Sequence, residues 1–245
     1  MIFQFEHTVP YFAVDENLKM KETYVFDLLL EVANRHGQFV NRGVKELIGS
    51  NMTWMMYKWR IKFVRRPSAT EKISIRTWPS TFQKIKASRE YELVDENGEV
   101  LVYGSSIWVL IDLEKGKPMM IPDDFRETFG LEKDAKAFFR NFDKFRYDVE
   151  SSSVETFKVR RSDIDMNHHV NSVNYLEWML ETVEPSGKNL DEIEIYYVNQ
   201  AKYGDIISSE LASIEESEEE DIYIHRIYVK GEEEVYTYGK STWRK

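Results

Sequence analysis

The chain has 245 residues, a formal net charge of −10 and no cysteine. The missing thiols exclude disulfides, thiolate metal sites and a cysteine nucleophile, so any chemistry must use oxygen or imidazole groups, and the acidic balance argues against general nucleic-acid binding. No apolar run approaches the roughly 18 residues of a membrane span, and the N-terminal MIFQFEHTVP lacks a basic n-region and a long apolar core, so a cytoplasmic location is expected.

Residues 11 to 22 read as an entry loop and strand. Val25, Leu28, Leu29, Val32, Ala33 and His36 then mark one face of a helix, with Gly37 and Gly43 as its terminators. From Trp54 the period changes to two: Met55, Tyr57, Trp59, Ile61 and Phe63 alternate with Lys58, Arg60 and Lys62, the pattern of a half-buried strand with a basic outer row. Strand-like runs follow at about 72 to 79, 84 to 94 and 99 to 112, with turn chemistry at Asp95-Glu96-Asn97-Gly98.

Residues 113 to 153 read as a connection, with a short helix near Lys133 to Phe142. The second half then repeats the first, with a strand at about 154 to 161, a helix, and strands near 192 to 201, 205 to 214, 221 to 230 and 234 to 243. Val100, Tyr103, Gly104, Ser106 and Trp108 reappear 135 positions later as Val235, Tyr238, Gly239, Ser241 and Trp243. A helix followed by an antiparallel sheet, present twice, predicts two copies of one α+β unit.

The second copy carries DIDMNHHVNSVNYLEWMLET from Asp163 to Thr182. Asp165, Asn167 and His169 precede a helix whose apolar face is Val173, Leu176, Met179, Leu180 and Val183, with Asn171 or Ser172 as N-cap. An imidazole beside a helix N-terminus can act as a general base while unpaired backbone N–H groups polarise a carbonyl. Turn chemistry alone also explains an Asp-x-Asn-x-His string, since all three side chains bond to nearby backbone.

The stretches DIDMNHHVNSVNYLEW, SSIWVLID, LLLEVANRHG and IYYVNQAKYGD resemble the acyl-acyl carrier protein thioesterases built from tandem hotdog folds, over nearly the whole chain. The resemblance implies two hotdog units, each a long helix wrapped by a curved antiparallel sheet: residues 1–130, holding the acyl chain in a tunnel, and residues 131–245, a linker and the catalytic unit. It places the catalytic Asp, Asn and His at Asp165, Asn167 and His169. His169 would be the base, Asn167 an oxyanion donor and Asp165 the group that orients or balances charge. Gln200 and Ala201 stand where the family pattern commonly has Glu and, in plant members, Cys. Gln200 is therefore expected to hold water by hydrogen bonds, with direct attack by water as the route.

The implied reaction is hydrolysis of fatty acyl-acyl carrier protein to free fatty acid, with an acyl-CoA thioesterase or a noncatalytic acyl-binding protein as alternatives. Trp54, Met56, Trp78 and Trp108 are expected among the tunnel residues. Arg160 and Arg161, with Lys58, Arg60, Lys62, Arg65 and Arg66, are candidates for meeting an acidic carrier protein. No cofactor or metal is expected, nor a nucleic-acid or membrane partner, and a homodimer is allowed. His36 reads as a hydrogen-bonded core residue, His168 as structural or surface, and His7 and His225 as incidental.

Overall fold

The computed structural model describes residues 1–142, 147, 150–166, 168–184, 187–231 and 234–245. The chain divides into two compact units, one of Met1–Tyr57 with Ile61–Arg140 and the other of Lys58–Arg60 with Asn141–Lys245.

The first unit comprises β1 (Phe3–Thr8), a 3-10 turn (Tyr11–Ala13), α1 (Glu22–Phe39), α2 (Val44–Gly49), β2 (Met52–Phe63, except its Lys58–Arg60 stretch), β3 (Lys72–Gln83), β4 (Lys86–Asp95), β5 (Val100–Asp112), β6 (Lys117–Pro118) and α3 (Phe125–Thr128). Its strand order is β1-β3-β4-β5-β2, and β6 pairs with β5. Helix α1 packs on β1 and β3 through Val25, Phe26, Leu28, Leu29, Val32 and His36, all buried. This is the face that the three- and four-residue spacing marks out. Gly37 lies inside α1 rather than ending it, and a Cβ there would stand 3.0 Å from the Arg42 carbonyl oxygen, which favours glycine at this position.

The second unit comprises β7 (Ser153–Lys158), a 3-10 turn (Arg161–Asp163), α4 (Ser172–Leu180), β8 (Asn189–Tyr197), β9 (Ile206–Glu216), β10 (Glu220–Val229) and β11 (Val235–Arg244), in the order β7-β9-β10-β11-β8. The two orders are the same, strand for strand. Helix α4 packs on β9 and β10, and it ends at Leu180, so Val183 lies beyond it.

The residue repeat has a physical cause. Buried Ser106 receives the Trp108 indole N–H at 2.7 Å and shares a hydrogen bond with the Tyr91 hydroxyl at 3.0 Å. Buried Ser241 receives the Trp243 indole N–H at 2.9 Å and meets His225 Nε2 at 2.8 Å. Each node satisfies an indole N–H and a serine hydroxyl inside a sheet core, where an unmade bond is costly, although His225 Nδ1 has no partner among the described residues. His225 is thus a fully buried core residue, not an incidental one. Burial pushes its pKa down to about 3.

Two further expectations are corrected. The first strand lies at Phe3–Thr8, ahead of the entry loop, and pairs with β3. No helix forms between Lys133 and Phe142. The backbone there is engaged by distant side chains instead: the Phe138 N–H donates to Glu90 at 3.0 Å, the Phe139 N–H to Ser105 at 3.0 Å, and the Lys136 carbonyl accepts from Trp78 Nε1 at 2.8 Å. Bonds of that kind replace the helical ladder.

Candidate active site

The loop before α4 is closed by its own polar groups. Asp163 is buried, and its carboxylate accepts from the Arg160 backbone N–H at 2.7 Å and pairs with the Arg160 guanidinium at 3.0 Å. The Asp163 carbonyl accepts from the Asn171 N–H at 2.8 Å and Asn174 Nδ2 at 2.9 Å, which joins the start of the loop to the start of the helix. Asn171 is the N-cap, accepting the Val173 N–H at 3.1 Å, an interaction worth about 1 kcal/mol.

Between these anchors, Ile164 bridges to Val170. The Asp165 N–H donates to the His169 carbonyl at 2.8 Å, and the His169 N–H reaches the Asp165 carboxylate at 3.3 Å. His168 takes φ 63° to close the turn and points outward, exposed. The sequence places Asp165 and His169 together and the fold keeps them so, both half-buried. Asn167 lies outside the described residues.

A second segment runs beside this loop. The Val170 N–H donates to the Ala201 carbonyl at 3.1 Å, and the Ala201 N–H donates to the Tyr175 hydroxyl at 2.8 Å. The Tyr197 hydroxyl donates to the Ser172 carbonyl at 3.0 Å. Residues 199–201 are thereby pinned to both the loop and the first turn of α4, which sets Gln200 next to the His169 segment with its side chain exposed. The preceding Asn199 has a buried side-chain nitrogen with no partner among the described residues. Burial drives the Tyr175 hydroxyl above the ordinary phenol range, so it stays protonated. Tyr175 and Asp163 escape sequence reading because one looks like part of an apolar helix face and the other like a turn residue.

The first unit contains the same loop. Val14 bridges to Met20, the Asp15 N–H donates to the Lys19 carbonyl at 2.8 Å, the Lys19 N–H donates to the Asp15 carboxylate at 3.0 Å, and Leu18 takes φ 57°. The Met20 N–H donates to the Pro67 carbonyl at 2.7 Å, as that of Val170 does to Ala201. Asp15, Asn17 and Lys19 therefore correspond to Asp165, Asn167 and His169, and Arg66 corresponds to Gln200. Arg66 pairs with Asp15 at 2.8 Å and Glu22 at 3.1 Å. Burial alone would raise the Asp15 pKa, but the Lys19 N–H, Arg66 and the Asn17 N–H together hold it below the usual carboxylate range.

The residues expected to meet substrate are not gathered in one place. Trp54 packs on the apolar cluster of Leu47, Phe82, Ala87, Leu110, Ile121, Phe125 and Phe129, and Trp108 is cross-strand from Ala87 in that cluster. Met56 is buried on β2. Trp78 lies on the face of β3 opposite Ile75 and Thr77 and is occupied by the Lys136 carbonyl. Among the basic residues, Arg60 pairs with Glu192 at 2.9 Å and Arg65 with Glu71 at 2.7 Å, while Arg160 and Arg66 have the carboxylates already named. Arg161 is exposed and stands over the Tyr203 ring at 5.4 Å.

A family model for the acyl-ACP thioesterase N-terminal domain matches residues 1–129, and one for the C-terminal domain matches residues 147–245. The chain belongs to the acyl-ACP thioesterase family. Membership carries the hydrolase activity on acyl carrier protein thioesters that the motif implies. Oleoyl-acyl carrier protein thioesterase 1 of Arabidopsis thaliana is 22% identical over 90% of this chain and 70% of its own length. An acyl-[acyl-carrier-protein] hydrolase of Cuphea viscosissima is 24% identical over 81% of this chain and 50% of its own length. Among solved structures, an acyl-ACP thioesterase from Bacteroides thetaiotaomicron superposes with a TM-score of 0.84 at 25% identity, covering 99% of this chain and 98% of that one. A 12:0-ACP thioesterase from Umbellularia californica gives a TM-score of 0.86 at 19% identity, covering 99% and 94%, a likeness of fold. The tandem hotdog architecture stands, each helix packed on an antiparallel sheet. The family domains end at 129 and begin at 147, and the compact units meet at 140/141, against the 130/131 expected from the sequence.

Proposed function

We propose that the second unit hydrolyses the thioester by water activated at His169. The imidazole takes a proton from water as the oxygen attacks the thioester carbonyl, and the same proton then passes to the departing pantetheine sulfur. The products are a free fatty acid and the thiol of the carrier protein. Asn167 serves the oxyanion, a donor of that kind contributing roughly 100- to 1000-fold in rate, while the N–H groups of Asn171, Val173 and Asn174 stay bonded within the loop and cap. Asp165 braces the His169 backbone, and Gln200 holds the attacking water. The observation that carries this reading is the Val170-to-Ala201 hydrogen bond at 3.1 Å, which lays the His169 and Gln200 segments side by side.

In this reading the first unit holds the acyl chain, with Trp54 and Trp108 beside the Phe82, Phe125 and Phe129 cluster. Arg161, over Tyr203, meets the acidic carrier protein in the cytoplasm, whereas Arg160 serves Asp163. The test offers purified protein acyl carrier protein thioesters of several chain lengths beside the matching CoA esters and measures free fatty acid. Faster release from the carrier protein esters supports the proposal. Equal or faster release from CoA esters replaces it with an acyl-CoA thioesterase, and no release from either leaves an acyl-binding protein.

A further inference from the structure

Arg89, on β4, is a buried arginine that meets no carboxylate among the described residues. Its Nη1 donates to His36 Nδ1 at 2.9 Å and to Thr77 Oγ1 at 3.2 Å. A guanidinium has five N–H donors, so both of these partners draw on one nitrogen and leave the rest of the fork unused. Arg60, Arg65, Arg66, Arg160 and Arg226 each have an acid partner.

His36 adds a further donor. Its Nδ1 accepts from Arg89, which puts the ring proton on Nε2, and Nε2 is buried with no partner. Burial and the neighbouring guanidinium hold its pKa down at about 3, so the ring stays neutral and its N–H is fixed. Burial also pushes the Arg89 pKa down, yet the residue keeps 9% of its surface accessible.

The surroundings are aromatic. Phe3 stacks on the His36 ring at 5.4 Å, Phe129 stands edge-on to it at 5.5 Å, and Phe129 lies 5.7 Å from the guanidinium carbon. Phe129 opens onto Phe82 and Phe125. A positive charge and unused donors at the edge of an apolar cluster complement an anionic oxygen pair attached to a hydrocarbon, since a buried charge without a partner is costly.

We propose that Arg89 and His36 form a binding site in the first unit for a carboxylate carried on an aliphatic chain, with the chain lying against Phe82, Phe125 and Phe129. Two sources share this chemistry: the free fatty acid that hydrolysis releases, and an acyl chain bearing a carboxylate at its far end. The inference rests on the proposed function for the supply of such molecules, and shares with it the Phe82, Phe125 and Phe129 cluster as the surface that meets the chain.

The test uses the full chain carrying His169→Ala, so that binding is read without turnover. Calorimetry should find dodecanoate bound roughly tenfold or more tighter than dodecanol, as a charge-assisted fork requires, and Arg89→Met should abolish that preference. Two arms with the active protein separate the sources. If dodecanoate inhibits hydrolysis and the inhibition is lost in Arg89→Met, the site takes product; if a carrier protein ester with a terminal carboxylate is turned over faster than the plain chain of equal length, and only when Arg89 is present, it takes substrate. Should Arg89→Met not fold, the comparison of dodecanoate with dodecanol and of the two esters decides alone. Equal binding of acid and alcohol with no preference between esters overturns the proposal, as does tight dodecanoate binding that survives in folded Arg89→Met. Failure of binding beside intact hydrolysis sinks this site alone, and binding without hydrolysis sinks the proposed function alone.

Discussion

Lys19 occupies in the first unit the place that His169 occupies in the second. Around both, an aspartate four residues earlier accepts the backbone N–H and donates its own to the carbonyl, at 3.0 and 2.8 Å in one unit and 3.3 and 2.8 Å in the other. The aspartate is therefore part of how the loop is built, whatever chemistry follows. What distinguishes the units is the side chain at the fifth position, an ammonium held by Ser68 at 3.0 Å in one and an imidazole in the other. An ammonium has no lone pair with which to take a proton from water.

The paired loops give a prediction for Asp15. Removing its carboxylate in Asp15→Ala strips bonds from the Lys19 and Asn17 N–H groups and from Arg66, so melting temperature should fall while turnover per folded molecule stays within about twofold. Because the Asp15 pKa is lowered in the folded state, its contribution is present above the ordinary carboxylate pKa and is lost as pH falls through the folded value. Thermal melts of parent and variant should converge in acid. A constant gap down to the lowest pH would contradict this role.

Gln200 corresponds to Arg66, whose side chain reaches the aspartate of its own loop. Gln200→Ala should lower turnover roughly tenfold or more with a smaller effect on substrate binding, as when a group that positions water is lost. Gln200→Glu should retain or raise activity. Unchanged kinetics in Gln200→Ala would remove the residue from the mechanism.

The fold was legible where one periodicity governed a whole element. The alternation of Trp59, Ile61 and Phe63 announced β2, and the apolar face announced α1, because burial on one side leaves that pattern; earlier in β2 it fails, with Met56 buried and Met55 and Tyr57 only half-buried. The segment from Lys133 to Phe142 was not legible, since the bonds that hold it come from Glu90, Ser105 and Trp78, all more than 30 positions away. The motif at Asp165 to His169 could be read directly. Its echo at Asp15 to Lys19 could not, because the loops repeat at 150 positions while the late strands repeat at 135, so no single offset aligns both. The Arg89 pair with His36 was hidden because neither residue's strand or helix pattern reports what its side chain meets.

His36 and His225 are buried neutral with pKa values held at about 3, below the ordinary 6.5. Unfolded chain binds these protons first, so stability is complete above about pH 6.5 and is lost as pH falls toward 3. Each histidine costs about 1.4 kcal/mol per pH unit across that window. Chemical denaturation at pH 7 and pH 5 should show this loss, and His225→Asn should flatten it. An equally steep loss in a folded His225→Asn protein would be the contrary result.

Arg160 and Arg161 should separate although they are neighbours. Arg160→Glu sets a second negative charge against buried Asp163 and should lower the melting temperature. Arg161→Glu should leave stability unchanged and weaken carrier protein substrates at low salt more than CoA substrates, since exposed charges act through long-range attraction that salt screens. Equal effects on both substrates would remove Arg161 from the docking surface.

The most direct test of the account is fatty acid release from acyl carrier protein thioester by three folded proteins: the parent, His169→Ala and Lys19→Ala. The account predicts a loss of at least roughly 100-fold in His169→Ala and turnover within about twofold of the parent in Lys19→Ala. Undiminished release by His169→Ala would contradict it.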